Sequence, residues 1–184
     1  MSDNRFEVLP GLMGSGPPAI PFPTNNSGAS EGFIVRFLPS SSEEWIGNFR
    51  RGETGHDAVY LHPDGKRVVV IAGGADYLVR PEAKRVEGCT TDNISYSCQI
   101  PDLRILVFGN YTDFWAEDEV GRRWTTPRTF WDGIEVAKIC KTILMGRCYS
   151  LLDEMWHEFK LDLVTGDIVE AGLRRIQAIK REQA

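Results

Sequence analysis

The chain has 184 residues, 42% of them hydrophobic, with five Trp, nine Phe and a formal net charge of −5. That apolar content is enough to bury a core, which excludes global disorder, and the length fits one domain. The acidic balance repels phosphate backbones and makes nucleic acid an unfavourable partner. No window approaches the ~20 continuous apolar residues that a membrane-spanning helix requires. The opening MSDNRFEVLPGLMGSG has no basic segment leading into an apolar run, so the expectation is a cytoplasmic protein.

Residues 1–31 carry Pro10, Pro17, Pro18, Pro21 and Pro23 among Gly11, Gly14, Gly16 and Gly28. Such a segment forms neither a continuous helix nor an inner strand, and it reads as an extended arm. Leu9, Leu12, Met13, Ile20 and Phe22 are apolar enough to lie on a surface. Whether that surface belongs to the same copy or to a second one is open, and a homo-oligomer joined through the arm is one expectation.

From residue 32 to 184 the pattern is that of one β-rich domain, with short runs of Val, Ile, Tyr, Phe and Trp separated by turn residues. Strands are predicted at 33–38, 44–49, 58–62, 67–72, 77–80, 93–100, 103–108, 114–117, 122–125, 133–139, 142–148, 158–164 and 168–170. Asp64 and Gly65 form the strongest hairpin signal, because both tolerate positive φ. Regular hairpins predict an antiparallel meander that curls into a barrel or packs as a sandwich. One short C-terminal helix is expected, with Leu173, Ile176 and Ile179 on its apolar side and Arg174, Arg175, Lys180 and Arg181 around them.

Three segments share an aromatic, an acidic turn and a returning strand: YLHPDGKRV, FWAEDEVGRRW and FKLDLVTGDIV. Their aspartates, Asp64, Asp118 and Asp162, are separated by 54 and 44 residues. The spacing is irregular and each segment is what a hairpin looks like, which favours a non-repeating sheet over a propeller-type repeat.

The densest group of chemically distinctive residues is Trp124, Arg128, Trp131 and Asp132, with Trp156 later. Aromatics with a few polar groups are the usual composition of a ligand pocket. The competing reading is structural, since large aromatics dominate small β cores and Asp132 with Gly133 makes a turn. The run W-T-T-P-R-T-F-W-D-G-I, with the later D-E-M-W-H-E-F-K-L-D-L-V-T-G, resembles a pattern in bacterial single-domain proteins of unassigned function. It covers roughly the last third of the chain, with Trp45, Gly47, Asn48 and Phe49 as a further match. The resemblance implies a compact bacterial domain and brings no catalytic residues.

Other chemistries find little support. Cys148 with His157 is the best nucleophile–base pair, but no local signature surrounds it. Asp113, Glu117, Asp153, Glu154, Glu158 and Asp162 offer carboxylate pairs for sugar chemistry, yet acidic residues on solvated strands are the ordinary case. Cys89, Cys98, Cys140 and Cys148 lack the spacing of common zinc sites and are expected as reduced thiols. His56 with Asp57, and His157 with Glu154 and Glu158, are chance-level metal spacings, and Gly73 and Gly74 lack the remainder of a phosphate loop. Neither a metal nor a cofactor is expected.

An acidic face is formed by Asp113, Glu117, Asp118 and Glu119 beside Trp115, and charge complementarity would suit it to a basic protein partner. The leading functional expectation is therefore a non-enzymatic protein-binding module, of the immunity or antitoxin type. The alternative is a small enzyme, or a sugar- or small-ligand-binding protein, that uses the segment Trp124–Asp132.

Overall fold

Alternating apolar runs become strands, and the turn residues between them decide which strands are neighbours. The computed structural model describes residues 5–24, 30–90, 93–128, 133–151 and 153–171. Among them are sixteen strands in four four-stranded sheets, so the protein is mainly β and rich in antiparallel pairing.

The first sheet contains β1 (Phe6–Leu9), β2 (Ile20–Phe22), β3 (Phe33–Phe37) and β4 (Trp45–Phe49), in the order β1-β3-β4-β2 with β2 parallel to β4. The second is the meander β5 (Ala58–Leu61), β6 (Val68–Ala72), β7 (Ala75–Arg80) and β8 (Arg85–Thr90). The third is the meander β9 (Tyr96–Ile100), β10 (Ile105–Gly109), β11 (Phe114–Glu117) and β12 (Arg122–Thr125). The fourth is β13 (Ile134–Cys140), β14 (Ile143–Ser150), β15 (Met155–Asp162) and β16 (Ile168–Ala171). None of these sheets closes into a barrel among the described residues. The predicted C-terminal helix lies outside the described residues, and the helical turns within them are two 3₁₀ segments, Pro81–Ala83 and Pro101–Leu103.

The Pro- and Gly-rich N-terminal segment supplies both edges of the first sheet. Pro21 can occupy β2 because an edge strand has one side on which no ladder hydrogen bond is required. Phe22 is buried against Phe49 with ring centroids 5.3 Å apart, and Leu9 is buried with Ile34 and Ile46. Leu12 and Met13 stay exposed.

The chain forms two compact units, 1–95 and 96–184. In the first, Phe22, Phe37, Trp45 and Phe49 of one sheet share a core with Val68, Val70, Tyr77 and Val79 of the next. In the second, Ile105, Val107, Phe114 and Trp124 share a core with Leu144, Cys148, Phe159 and Leu161. Each unit contains the same tie between its sheets. The Trp45 Nε1–H donates to the carbonyl of Pro81 at 2.9 Å, and the Trp124 Nε1–H to that of Leu163 at 3.1 Å. Both carbonyls lie in the turn before the last strand of the second sheet of their unit.

The three similar hairpins have a local cause. Asp64, Asp118 and Asp162 each accept, through Oδ1, the backbone N–H two residues on: Lys66 at 2.8 Å, Val120 at 2.8 Å and Val164 at 2.7 Å. This is the turn that a short carboxylate side chain favours. At Asp64, burial raises the pKa. The backbone N–H groups of Arg67 and Lys66, the Arg67 guanidinium and nearby His62 outweigh that effect and hold the carboxyl well below its usual range. The Asp118 and Asp162 hairpins both join the last two strands of their sheets, whereas the Asp64 hairpin joins the first two of its own.

Two turn glycines separate strain from crowding. Gly65 has φ +69° with open space where a Cβ would stand, whereas Gly166 has φ +80° and its Cβ would sit 2.7 Å from the Trp124 ring. Gly65→Ala should therefore cost about 1 kcal/mol, the left-handed backbone penalty alone. Gly166→Ala should cost about 3 kcal/mol or more, because it also displaces a packed indole. Urea denaturation midpoints of the two variants check this, and equal losses would show that the Trp124 contact does not constrain the turn.

Candidate binding surface

The outward face of the fourth sheet follows from its register. On β14, Leu144, Gly146, Cys148 and Ser150 are buried, while Ile143, Met145, Arg147 and Tyr149 alternate with them toward the other side. Pairing carries that face across the neighbouring strands, with Glu135, Arg147 and Glu158 in one row and Lys138, Met145 and Lys160 in the next. Tyr149 pairs with Trp156. These rows border a shallow groove of about 750 Å³.

At the hairpin end of this face the groove gives way to apolar side chains. Leu151, Met155 and Trp156 are 55%, 59% and 41% exposed, and Trp156 packs edge-on against Tyr149 at 5.6 Å. The Arg147 guanidinium lies 4.8 Å from the centre of the Trp156 ring and pairs with Glu135 at 2.6 Å. Around this cluster stand Asp153, which hydrogen-bonds His157 Nε2 at 2.8 Å, and Glu154 and Glu158, which have no ion-pair partner among the described residues. Glu154 holds a left-handed backbone, φ 57°, in the tight turn.

Of the predicted ligand-pocket residues, the described Trp124 and Trp156 are not brought together. Trp124 is 9% exposed and faces the core, with its N–H spent on Leu163, whereas Trp156 projects from the opposite face of β15. Arg128 is exposed, and Trp131 and Asp132 lie outside the described residues.

The acidic hairpin is largely neutralised by its own fold. Glu117 pairs with Arg122 at 3.4 Å and Glu119 with Arg104 at 2.9 Å. Asp118 is committed to its turn, and Asp113 accepts the Thr112 hydroxyl at 2.6 Å. Trp115 is buried, stacked on Phe108 at 5.6 Å with the Arg122 guanidinium 5.1 Å from its ring.

Cys148 and His157 are direct cross-strand partners, but the thiol contacts the His157 carbonyl at 3.5 Å while the imidazole turns to Asp153. Burial pushes the Cys148 thiol up to about 11, the reverse of what a nucleophile needs. All four cysteines are free, and no group of three His, Cys, Asp or Glu side chains converges among the described residues. Sequence reasoning did not single out Tyr149, Arg147, Leu151 and Met155. The alternation of ILMGRCYS was the available signal, because it puts Met145, Arg147 and Tyr149 on one side.

No family model and no curated protein sequence matches the chain. Among solved structures, it is similar to a eukaryotic initiation factor at 10% identity with a TM-score of 0.43, over 77% of this chain and 39% of that one. A hydrazine synthase from Kuenenia stuttgartiensis gives 12% identity and a TM-score of 0.29, over 73% of this chain and 52% of that one. The chain thus spans about half or less of the proteins it resembles, and likeness at this level assigns neither fold nor function.

Thiol reactivity checks the reading of Cys148. In native protein at pH 8, exposed Cys140 should alkylate readily, Cys89 more slowly because partial burial and Asp76 push its thiol up, and Cys148 only after unfolding, as read by peptide mass spectrometry. Rapid native labelling of Cys148 would reopen it as a nucleophile.

Proposed function

We propose that the chain is a non-enzymatic binding module for a basic protein partner, of the antitoxin type, and that it docks through the β14–β15 hairpin and the adjoining outward face. The observation that carries this reading is the exposed cluster of Trp156, Met155 and Leu151 beside Glu154 and Glu158, which have no ion-pair partner among the described residues. Exposed aromatic and aliphatic side chains anchor interfaces, and surrounding charge selects the partner and speeds encounter. The acidic segment 113–119 fits the role less well, since Arg104 and Arg122 already answer two of its carboxylates. The architecture that suits a rigid module of this kind is a sandwich of two sheets around one core in each unit.

The alternative, a small enzyme or sugar-binding protein built on Trp124–Asp132, has against it that Trp124 spends both its ring and its N–H on the core.

The test begins with the product of a neighbouring gene, or another basic protein that co-purifies stoichiometrically, and measures its affinity by calorimetry. Trp156→Ala should leave thermal melting unchanged and weaken binding by about 2 kcal/mol, roughly thirtyfold. Glu154→Lys with Glu158→Lys should slow association, most strongly at low salt. Full affinity in Trp156→Ala would overturn this surface as the docking site.

A further inference from the structure

A second cleft, of about 400 Å³, lies wholly within the first unit, between β2 and the β7–β8 edge. Its walls are apolar: Ile20, Phe22 and Pro23 on one side and Val86 on the other. Ile20 and Val86 are only partly buried, so among the described residues nothing covers the core at this point. Tyr77 and Cys89, direct partners across β7 and β8, supply the polar part of the wall. The Tyr77 hydroxyl donates to the Arg50 carbonyl at 2.7 Å, which fixes the ring. Burial, with the Cys89 thiol beside it, pushes this phenol up to about 12, so it stays neutral.

Two cations border the cleft, and they are not equivalent. Arg85 is engaged by Glu87 at 3.0 Å, whereas Lys84 has no ion-pair partner among the described residues. Lys84 is held in place by the backbone: it caps the Pro81–Ala83 turn in the left-handed conformation, φ 50°, with its N–H on the Pro81 carbonyl. That carbonyl also receives the Trp45 indole N–H, so the residue carrying the ammonium is anchored to the core of the unit.

We propose that this cleft binds a small molecule with a flat apolar body and a carboxylate, the body lying between Ile20, Phe22 and Val86 and the carboxylate meeting Lys84. Size, apolar walls and a few convergent polar groups are the features of small-molecule sites, and an unpaired ammonium at the rim selects an anionic head. This site is separate from the protein-docking surface, and either can fail without the other.

Cys89 gives a local readout. Its iodoacetamide alkylation is followed by mass spectrometry of its peptide, with exposed Cys140 as internal reference. The probe is 2-naphthoate, and its neutral isostere 2-naphthamide is the control. At about ten times its dissociation constant, 2-naphthoate should slow Cys89 roughly tenfold and leave Cys140 unchanged, because only the unoccupied cleft reacts. The amide, and 2-naphthoate with Lys84→Gln, should bind roughly tenfold more weakly and so slow Cys89 only about twofold at the same concentration. The proposal is overturned if Cys89 is not protected, if both thiols slow together, or if the amide protects as well as the carboxylate. The amide comparison uses unmodified protein, so a poorly folded Lys84→Gln does not decide the outcome.

Discussion

A tryptophan N–H that has left water must find an acceptor, and in each unit it finds one on the neighbouring sheet. Trp45 reaches Pro81 and Trp124 reaches Leu163. Leaving such a donor unpaired in a core costs about 1–3 kcal/mol, so the bond fixes how far one sheet can slide on the other as much as it adds stability. Small sheets need that constraint, since a few strands with one apolar face are stable only when the face is covered. The aromatic packing follows from it: Phe37 stacks on Trp45 at 4.3 Å, Phe22 meets Trp45 edge-on at 6.1 Å, and Trp124 covers Gly166.

Strands were legible wherever alternation met a turn residue. Thus 114–117 and 122–125 match β11 and β12 in span, and most others differ at their ends by one to three residues. β8 was not legible, because Arg85-Val-Glu-Gly-Cys-Thr is almost wholly exposed and has no apolar face to show. β1 and β2 were hidden by the prolines and glycines around them, which bar inner strands but not edges. The fourfold grouping of strands was equally hidden, because the Asp turn joins the first two strands of the second sheet but the last two of the third and fourth.

The site was less legible than the fold, and the reason is that composition does not reveal which face a residue takes. Trp124 pairs with Ala116 on the inward side of β11 and β12, so the most conspicuous aromatic of its segment belongs to the core. Trp156 lies on an outward row and stays at the surface. Charge behaves in the same way. Along the chain, Asp113 to Glu119 reads as an acidic run, but Arg104 arrives from the preceding hairpin and Arg122 from the following strand. Glu154 and Glu158, which have no ion-pair partner among the described residues, lie on a longer hairpin, where the sequence offered them for sugar or metal chemistry rather than as an acidic face.

Arg147 connects this charge pattern to the exposed indole of Trp156. Its exposed pair with Glu135 is worth at most about 1 kcal/mol by itself, yet it holds the guanidinium over the Trp156 ring while Tyr149 packs edge-on against the same ring. An exposed indole confined in this way has less side-chain freedom to lose when a partner covers it, a loss that typically costs about 0.5–1.5 kcal/mol for each side chain immobilised. The ladder Glu135–Arg147–Glu158 therefore does two things at once. It keeps the outward face charged against indiscriminate association, and under the proposed reading it would present Trp156 already ordered to a partner whose own charge meets Glu158.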